Sequence, residues 1–285
     1  MVGIVRKRTK ILKFSAVIVV AIALAVFIAE TITEHNARYV PNYELLNLRE
    51  YPGIEEGRFS EDDYMMLLKQ TGLGKAAIKS VFAKPDPVSL LEAHQESFFN
   101  PPPFTCKKIS PVTSEEHFYN DDGSWVKGFV IEDVRNGDIF ITKGNHTLGW
   151  RQGHTAIVTD AQKGETIEAL KPGVPTMHQK VSKWQTYPTL IHLRLKDEKA
   201  GEDVAAFVRE NLLDFKYGLH AGLFSKYSED ITVTQCSHLP WYAYMRFGYD
   251  IDSDGGWLVT PKDIAGSELL EIVQIYGVDP DHVWK

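Results

Sequence analysis

Residues 231–244 read I-T-V-T-Q-C-S-H-L-P-W-Y-A-Y, a short β-branched run that stops at Cys236 and passes straight into an aromatic helical stretch. That pattern holds one thiol at a helix N-terminus, where unpaired backbone N–H groups and the positive end of the helix dipole favour a thiolate. Free cysteine is also among the most buried residue types, so the stretch by itself favours a packing role for Cys236. Magnitudes say what a nucleophile would need in addition. Bringing a thiol from about 8.5 to about 4 takes roughly 6 kcal/mol, and a helix terminus supplies about 0.3 to 2. A catalytic Cys236 therefore requires a histidine partner.

The best candidate is His154, in G-W-R-Q-G-H-T-A-I-V-T-D. It opens an apolar strand directly after a glycine, where its ring can project from the sheet edge toward a neighbouring helix terminus. A third group must fix the ring's tautomer and orientation. Glu168, in T-I-E-A-L, has the same parity on the next strand and reaches His154 if the turn between the strands has odd length. Thr166 shares that parity and is the alternative orienter. Each residue alone is as readily structural; together they make a Cys-His-acid arrangement of the kind used for acyl transfer. The oxyanion is expected against backbone N–H groups at the Cys236 helix start, with a nearby side chain such as Gln235 as an added donor.

Working outward, the chain is α+β: helices first, then a small, mainly antiparallel sheet with helices packed outside. Ser60 caps an acidic first turn, with Gly72 as the stop; residues 75–82 and 88–94 give two further helices before Pro101-Pro102-Pro103. Strands are expected at 126–131, 138–142, 154–159, 166–170 and 189–195, and an amphipathic helix at 202–215 with Val204, Phe207, Val208, Leu212 and Phe215 on one face.

The strings G-D-I-F-I-T, G-H-T-A-I-V, I-E-A, Q-C-S-H-L-P-W-Y-A-Y and L-V-T-P-K-D-I, in that order over residues 125–275, resemble the permuted papain-like amidases of the YiiX/YebB type in the NlpC/P60 superfamily. Histidine ahead of cysteine is the permuted order. The resemblance implies a permuted papain-like fold with Cys236 as nucleophile, His154 as general base and acid, and Glu168 as orienter, with no metal or organic cofactor. His238-Leu239-Pro240 departs from the acidic and aliphatic residues expected after Cys-Ser; Pro240 is tolerable in a first helical turn.

With 285 residues, 44% hydrophobic and 24% charged, the chain can bury a full core. Its N-terminus differs from the rest: Arg6, Lys7, Arg8, Lys10 and Lys13 precede an apolar run over residues 14–32. That length suits an uncleaved single-pass anchor, and the charge asymmetry puts the N-terminus in the cytoplasm and the catalytic domain outside, periplasmic in a Gram-negative host. The expected organisation is a basic tail and transmembrane helix (1–33), a stalk (34–59), a helical cap (60–124) and the catalytic domain (125–285). Net charge is −7, and without the five N-terminal cations the outer part is more acidic still, which disfavours nucleic acid as a partner.

The expected function is a membrane-tethered extracytoplasmic cysteine hydrolase acting on a cell-wall peptide or related amide. Alternatives are a lipid-directed acyltransferase or phospholipase, suggested by the tether and by Trp241, Tyr242 and Tyr244, and a non-catalytic binding module. Asn145-His146-Thr147 fits a glycosylation acceptor, and residues 250–255 match half a calcium loop whose twelfth position falls on Pro261, so a solvated turn is expected there.

Overall fold

The computed structural model describes residues 15, 17–25, 27–28, 38–54, 57–110, 112–197, 199–222 and 230–284. Its strands are β1 (Thr105–Lys108), β2 (Thr113–His117), β3 (Ile139–Thr142), β4 (Asn145–Thr147), β5 (His154–Asp160), β6 (Glu165–Glu168), β7 (Met177–Lys180), β8 (Leu190–Leu195), β9 (Lys216–Tyr217), β10 (Val233–Thr234) and β11 (Leu270–Tyr276). Six form one antiparallel sheet in the order β11-β8-β3-β5-β6-β7; β1, β2 and β4 form a second antiparallel sheet, and β9 pairs in parallel with β10. The main core lies between the central sheet and two helices, Ala200–Asn211 and His238–Met245. Ile139, Ile157, Ile191, Val204, Val208 and Trp241 are all buried in it.

The N-terminal helices follow their caps. Ser60 forms a reciprocal capping box with Asp63 ahead of Glu61–Thr71, and Gly72 ends that helix in the left-handed region at φ 72°. Lys75–Phe82 and Pro87–Phe99 complete a second core around Leu67, Ile78, Val81 and Leu91. This layer docks on the sheet edge. Gly74 N donates to Val273 O and Ile275 N donates to Gly72 O, so the 72–74 turn covers the outer rim of β11. A Cβ on Gly74 would fall 1.9 Å from the Ile272 carbonyl oxygen, so that close approach requires glycine.

Three expectations are corrected. Residues 126–131 are not a strand: the segment is pinned by Val126 N to Phe118 O and Gly128 N to Gln185 O without entering a ladder. The boundary at 124/125 does not divide the fold, because β2 from the expected cap pairs with β4 and Phe118 lies in the main core. Residues 38–54 are not a free stalk either. Tyr39 N donates to Gly277 O, Leu46 N donates to the Gln70 side chain, and Leu48 is buried.

The expected anchor at 14–32 falls in part outside the described residues. Residues 17–25 are helical, with Val17, Val19, Val20 and Leu24 exposed. Among the described residues no helix is long and apolar enough to cross a membrane. The side chain of Asn145 is buried and donates to Glu115, which takes it out of reach as a glycosylation acceptor.

Candidate active site

β5 opens at His154 directly after Gly153, whose φ is +74°. A Cβ at Gly153 would lie 2.6 Å from the Thr142 carbonyl oxygen and 2.8 Å from the Trp284 ring, so the glycine lets the chain turn tightly into the strand. The strand partner of His154 is Thr142, the last residue of β3, which puts the histidine at the end of an interior strand of the sheet.

The β5–β6 register explains how Glu168 reaches it. Four residues, 161–164, separate the strands, an even turn that alone would put Glu168 on the opposite face from His154. A bulge between Val158 and Asp160 adds one residue and restores parity, so that Ile157 faces Ile167 and Val158 faces Thr166. Continued one step, that register sets Glu168 beside Ala156, diagonal to His154 and on the same face. The odd-length requirement is thus met by turn plus bulge, not by the turn alone.

Glu168 is fully buried and saturated. His154 Nε2 lies 2.8 Å from Oε2, and Lys183 Nζ donates to the same oxygen at 2.8 Å. Thr166 Oγ1 and Trp184 Nε1 both donate to Oε1 at 3.0 Å. Trp184 also stacks on the His154 ring, with centroids 5.7 Å apart and planes 9° from parallel. Thr166 therefore bonds Glu168, and the carboxylate rather than the hydroxyl meets His154. Lys183 and Trp184, from the short Val181–Trp184 helix, were missed from sequence because nothing in V-S-K-W separates a site-facing pair from surface residues.

Cys236 stands just before the His238–Met245 helix, which packs on β5, and lies close enough to His154 for each group to shift the other's pKa. With Nε2 held by Glu168, Nδ1 is the nitrogen left for the thiol. Burial opposes the thiolate, but the hydrogen bond and charge of His154, aided by the Ser237 hydroxyl and backbone N–H, lower the Cys236 pKa. Burial likewise opposes the imidazolium; the hydrogen bonds and charges of Cys236 and Glu168 prevail and raise His154 to about 9. For Glu168 burial is outweighed by the Lys183 ammonium and His154, which hold the carboxyl down at about 2. The combination favours a thiolate–imidazolium pair over a neutral pair.

Gln235 is placed otherwise than as a donor to an oxyanion. Its Oε1 accepts from Ser237 N at 3.0 Å and from Ser237 Oγ at 3.1 Å, which caps the helix start, and its Nε2 donates to Val259 O at 2.9 Å. Toward Cys236 Sγ, 3.5 Å away, it presents that same acceptor oxygen. Tyr217, on β9, is kept protonated by burial and by the Cys236 charge.

No protein-family model, curated protein or solved structure matches this chain. The site accordingly rests on its own geometry. Trp241, Tyr242 and Tyr244 face the core, Tyr244 donating to Gly137 O at 2.6 Å and Trp241 to Asp250 at 2.8 Å. A cavity of about 480 Å³ lined by Trp125, Lys127, His178, Lys180 and Lys183 shares only Lys183 with this arrangement; neither Cys236 nor His154 lines it.

Proposed function

We propose that this chain is a cysteine hydrolase of the permuted papain-like, NlpC/P60 type that cleaves an amide through an acyl-enzyme. The observation that carries the reading is a buried histidine held by Glu168 through Nε2 at 2.8 Å, next to a cysteine at a helix start whose pKa it lowers. The Cys236 thiolate adds to the carbonyl carbon, and the oxyanion is met by backbone N–H groups at the helix start with Tyr217 as the side-chain donor. The His154 imidazolium gives its proton to the departing amine as the C–N bond breaks, leaving a thioester. The neutral ring then takes a proton from water, hydroxide adds to the thioester, and the carboxylic acid leaves as the sulfur recovers the pair.

The basic residues before the apolar run at 14–32 support a single-pass tether with this domain outside the membrane. In a bacterial host a cell-wall peptide is the substrate class within reach. Burial of the aromatics of residues 241–244 removes one of the two features that favoured a lipid-directed reading; the other, the tether, is common to both readings.

The test is parallel incubation of the purified protein with muropeptides and with phospholipid vesicles, products being read by mass spectrometry. New amine and carboxylate ends from muropeptide, absent in Cys236→Ala and His154→Ala variants that keep native circular dichroism, are expected. Products from lipid alone, or turnover that survives either substitution, would overturn the proposal.

A further inference from the structure

The three-stranded sheet carries the other cysteine. Cys106 on β1 faces Glu116 on β2, and His146 on β4 faces Ser114 two residues earlier on β2. The strand pairings put Cys106, Glu116 and His146 on one sheet face. Cys106 is half-buried, and Glu116 and His146 are fully buried.

Cys106 Sγ lies 3.5 Å from His146 Nε2, and that same nitrogen lies 3.3 Å from Glu116 Oε1. A histidine that passes protons between two groups uses both ring nitrogens. At His146 both neighbours crowd Nε2, while the buried Nδ1 has no hydrogen-bond partner. One N–H cannot serve two acceptors well, so proton relay is a poor account of the arrangement. Convergence on a common centre is a better one, since the sulfur, nitrogen and oxygen all lie within 4.8 Å of one another.

The spacing can be checked against coordination geometry. A tetrahedral zinc with bonds of about 2.3 Å to sulfur, about 2.05 Å to nitrogen and about 2.0 Å to oxygen has N···S and N···O edges of about 3.6 and about 3.3 Å. The observed 3.5 and 3.3 Å match both. Arg151 donates to both Glu116 oxygens, at 2.7 and 2.9 Å, and to Lys143 O at 2.6 Å. An ionised carboxylate offers about four lone-pair positions, so this fork orients Glu116 and still leaves one for a metal, as outer hydrogen bonds do for ligating carboxylates.

We propose that Cys106, Glu116 and His146 form a three-ligand site for a divalent transition metal, zinc being the ion suited to one sulfur, one imidazole and one carboxylate. Binding displaces the thiol proton to solvent, and the exposed side of Cys106 leaves the fourth position to water or a further ligand. The site uses the other sheet and the other cysteine, so it stands or falls independently of Cys236.

The experiment strips the full chain, solubilised in detergent, with a chelator and titrates it with Co²⁺, whose thiolate charge-transfer absorption reports a sulfur ligand. Saturation at one Co²⁺ per chain, displaceable by Zn²⁺, is expected. The band should persist in Cys236→Ala, vanish in Cys106→Ser, and need at least tenfold more Co²⁺ in His146→Ala. Absence of the band, its survival in Cys106→Ser or its loss in Cys236→Ala would overturn the proposal. Cys106 lies on an edge strand, so its serine variant, checked by circular dichroism, decides the matter even where the buried His146→Ala fails to fold.

Discussion

Replacing Glu168 by glutamine tests the site most sharply, because one buried donor dictates what the new amide must do. The Trp184 indole N–H can only donate, and it and Thr166 both address Oε1, so the amide oxygen has to stay there. The amide nitrogen is then forced into the position of Oε2, facing His154 Nε2 and Lys183 Nζ, each 2.8 Å from that oxygen in the wild type. A donor there is satisfied only if Nε2 is unprotonated. The neutral ring must then carry its proton on Nδ1, where it cannot accept the proton of Cys236.

The electrostatic loss adds to the tautomer error. His154 rises from 6.5 to about 9 under the joint influence of Cys236 and Glu168, a shift on the order of 3 kcal/mol. A share for Glu168 comparable to that of Cys236 is on the order of 1–2 kcal/mol, roughly tenfold in the population of the ion pair. Alkylation of Cys236 by iodoacetamide at pH 6, followed by peptide mass spectrometry so that Cys106 does not interfere, should slow at least tenfold. Turnover should fall by about 10² to 10⁴, the upper figure being the cost of a wrong tautomer in a serine triad. Adding Trp184→Phe frees the amide to turn its oxygen toward Nε2 and should restore part of the rate. Alkylation and turnover in Glu168→Gln within about threefold of wild type would refute the reasoning, since a tenfold electrostatic term alone exceeds that.

The thiolate–imidazolium pair predicts that kcat/KM falls as pH rises through about 9, where His154 loses its proton; a profile still climbing at pH 10 would contradict it. Tyr217→Phe should lower kcat by about 10² with KM little changed if the phenol meets the oxyanion, and steady-state kinetics separates the two. Asp138 is buried, held by His192 at 2.7 Å and by Arg194 through two bonds of 2.7 and 2.8 Å; Asp138→Ala takes the carboxylate from His192 and leaves Arg194 with Asp133 alone, and should cost about 3 kcal/mol in urea unfolding. Glu168 is held at about 2 against a usual 4.5, so its contribution to stability is complete above about pH 4.5 and is lost as pH falls toward 2. Urea midpoints should decline over that window and flatten in Glu168→Gln.

Much of the local structure was legible because it is decided locally. The Ser60 box, the Gly72 stop and the helix at 75–82 need only a few neighbouring residues, and each forms where the pattern puts it. The apolar alternation also located β3, β5, β6 and β8 to within a residue or two. What escaped were elements whose sequences are ordinary away from their partners: β1, β2 and β7 are short and polar, and β11 is a strand because β8 lies on one side of it and the 72–74 turn on the other.

The sequence by itself determined which residue types could do chemistry and in what order along the chain: a cysteine before a helix, a histidine after a glycine, an acid of matching parity. Whether they meet was decided by tertiary structure. The bulge between Val158 and Asp160 flips the face on which Glu168 emerges, and it is a property of the strand pairing that no turn length announces. Packing also assigned the supporting roles, bringing Lys183 and Trp184 onto Glu168 and turning Gln235 back to cap its own helix. The physical reason is the same in each case: hydrogen-bond and charge complementarity act over about 3 Å in space, and the chain brings residues to that distance only once the sheet has closed.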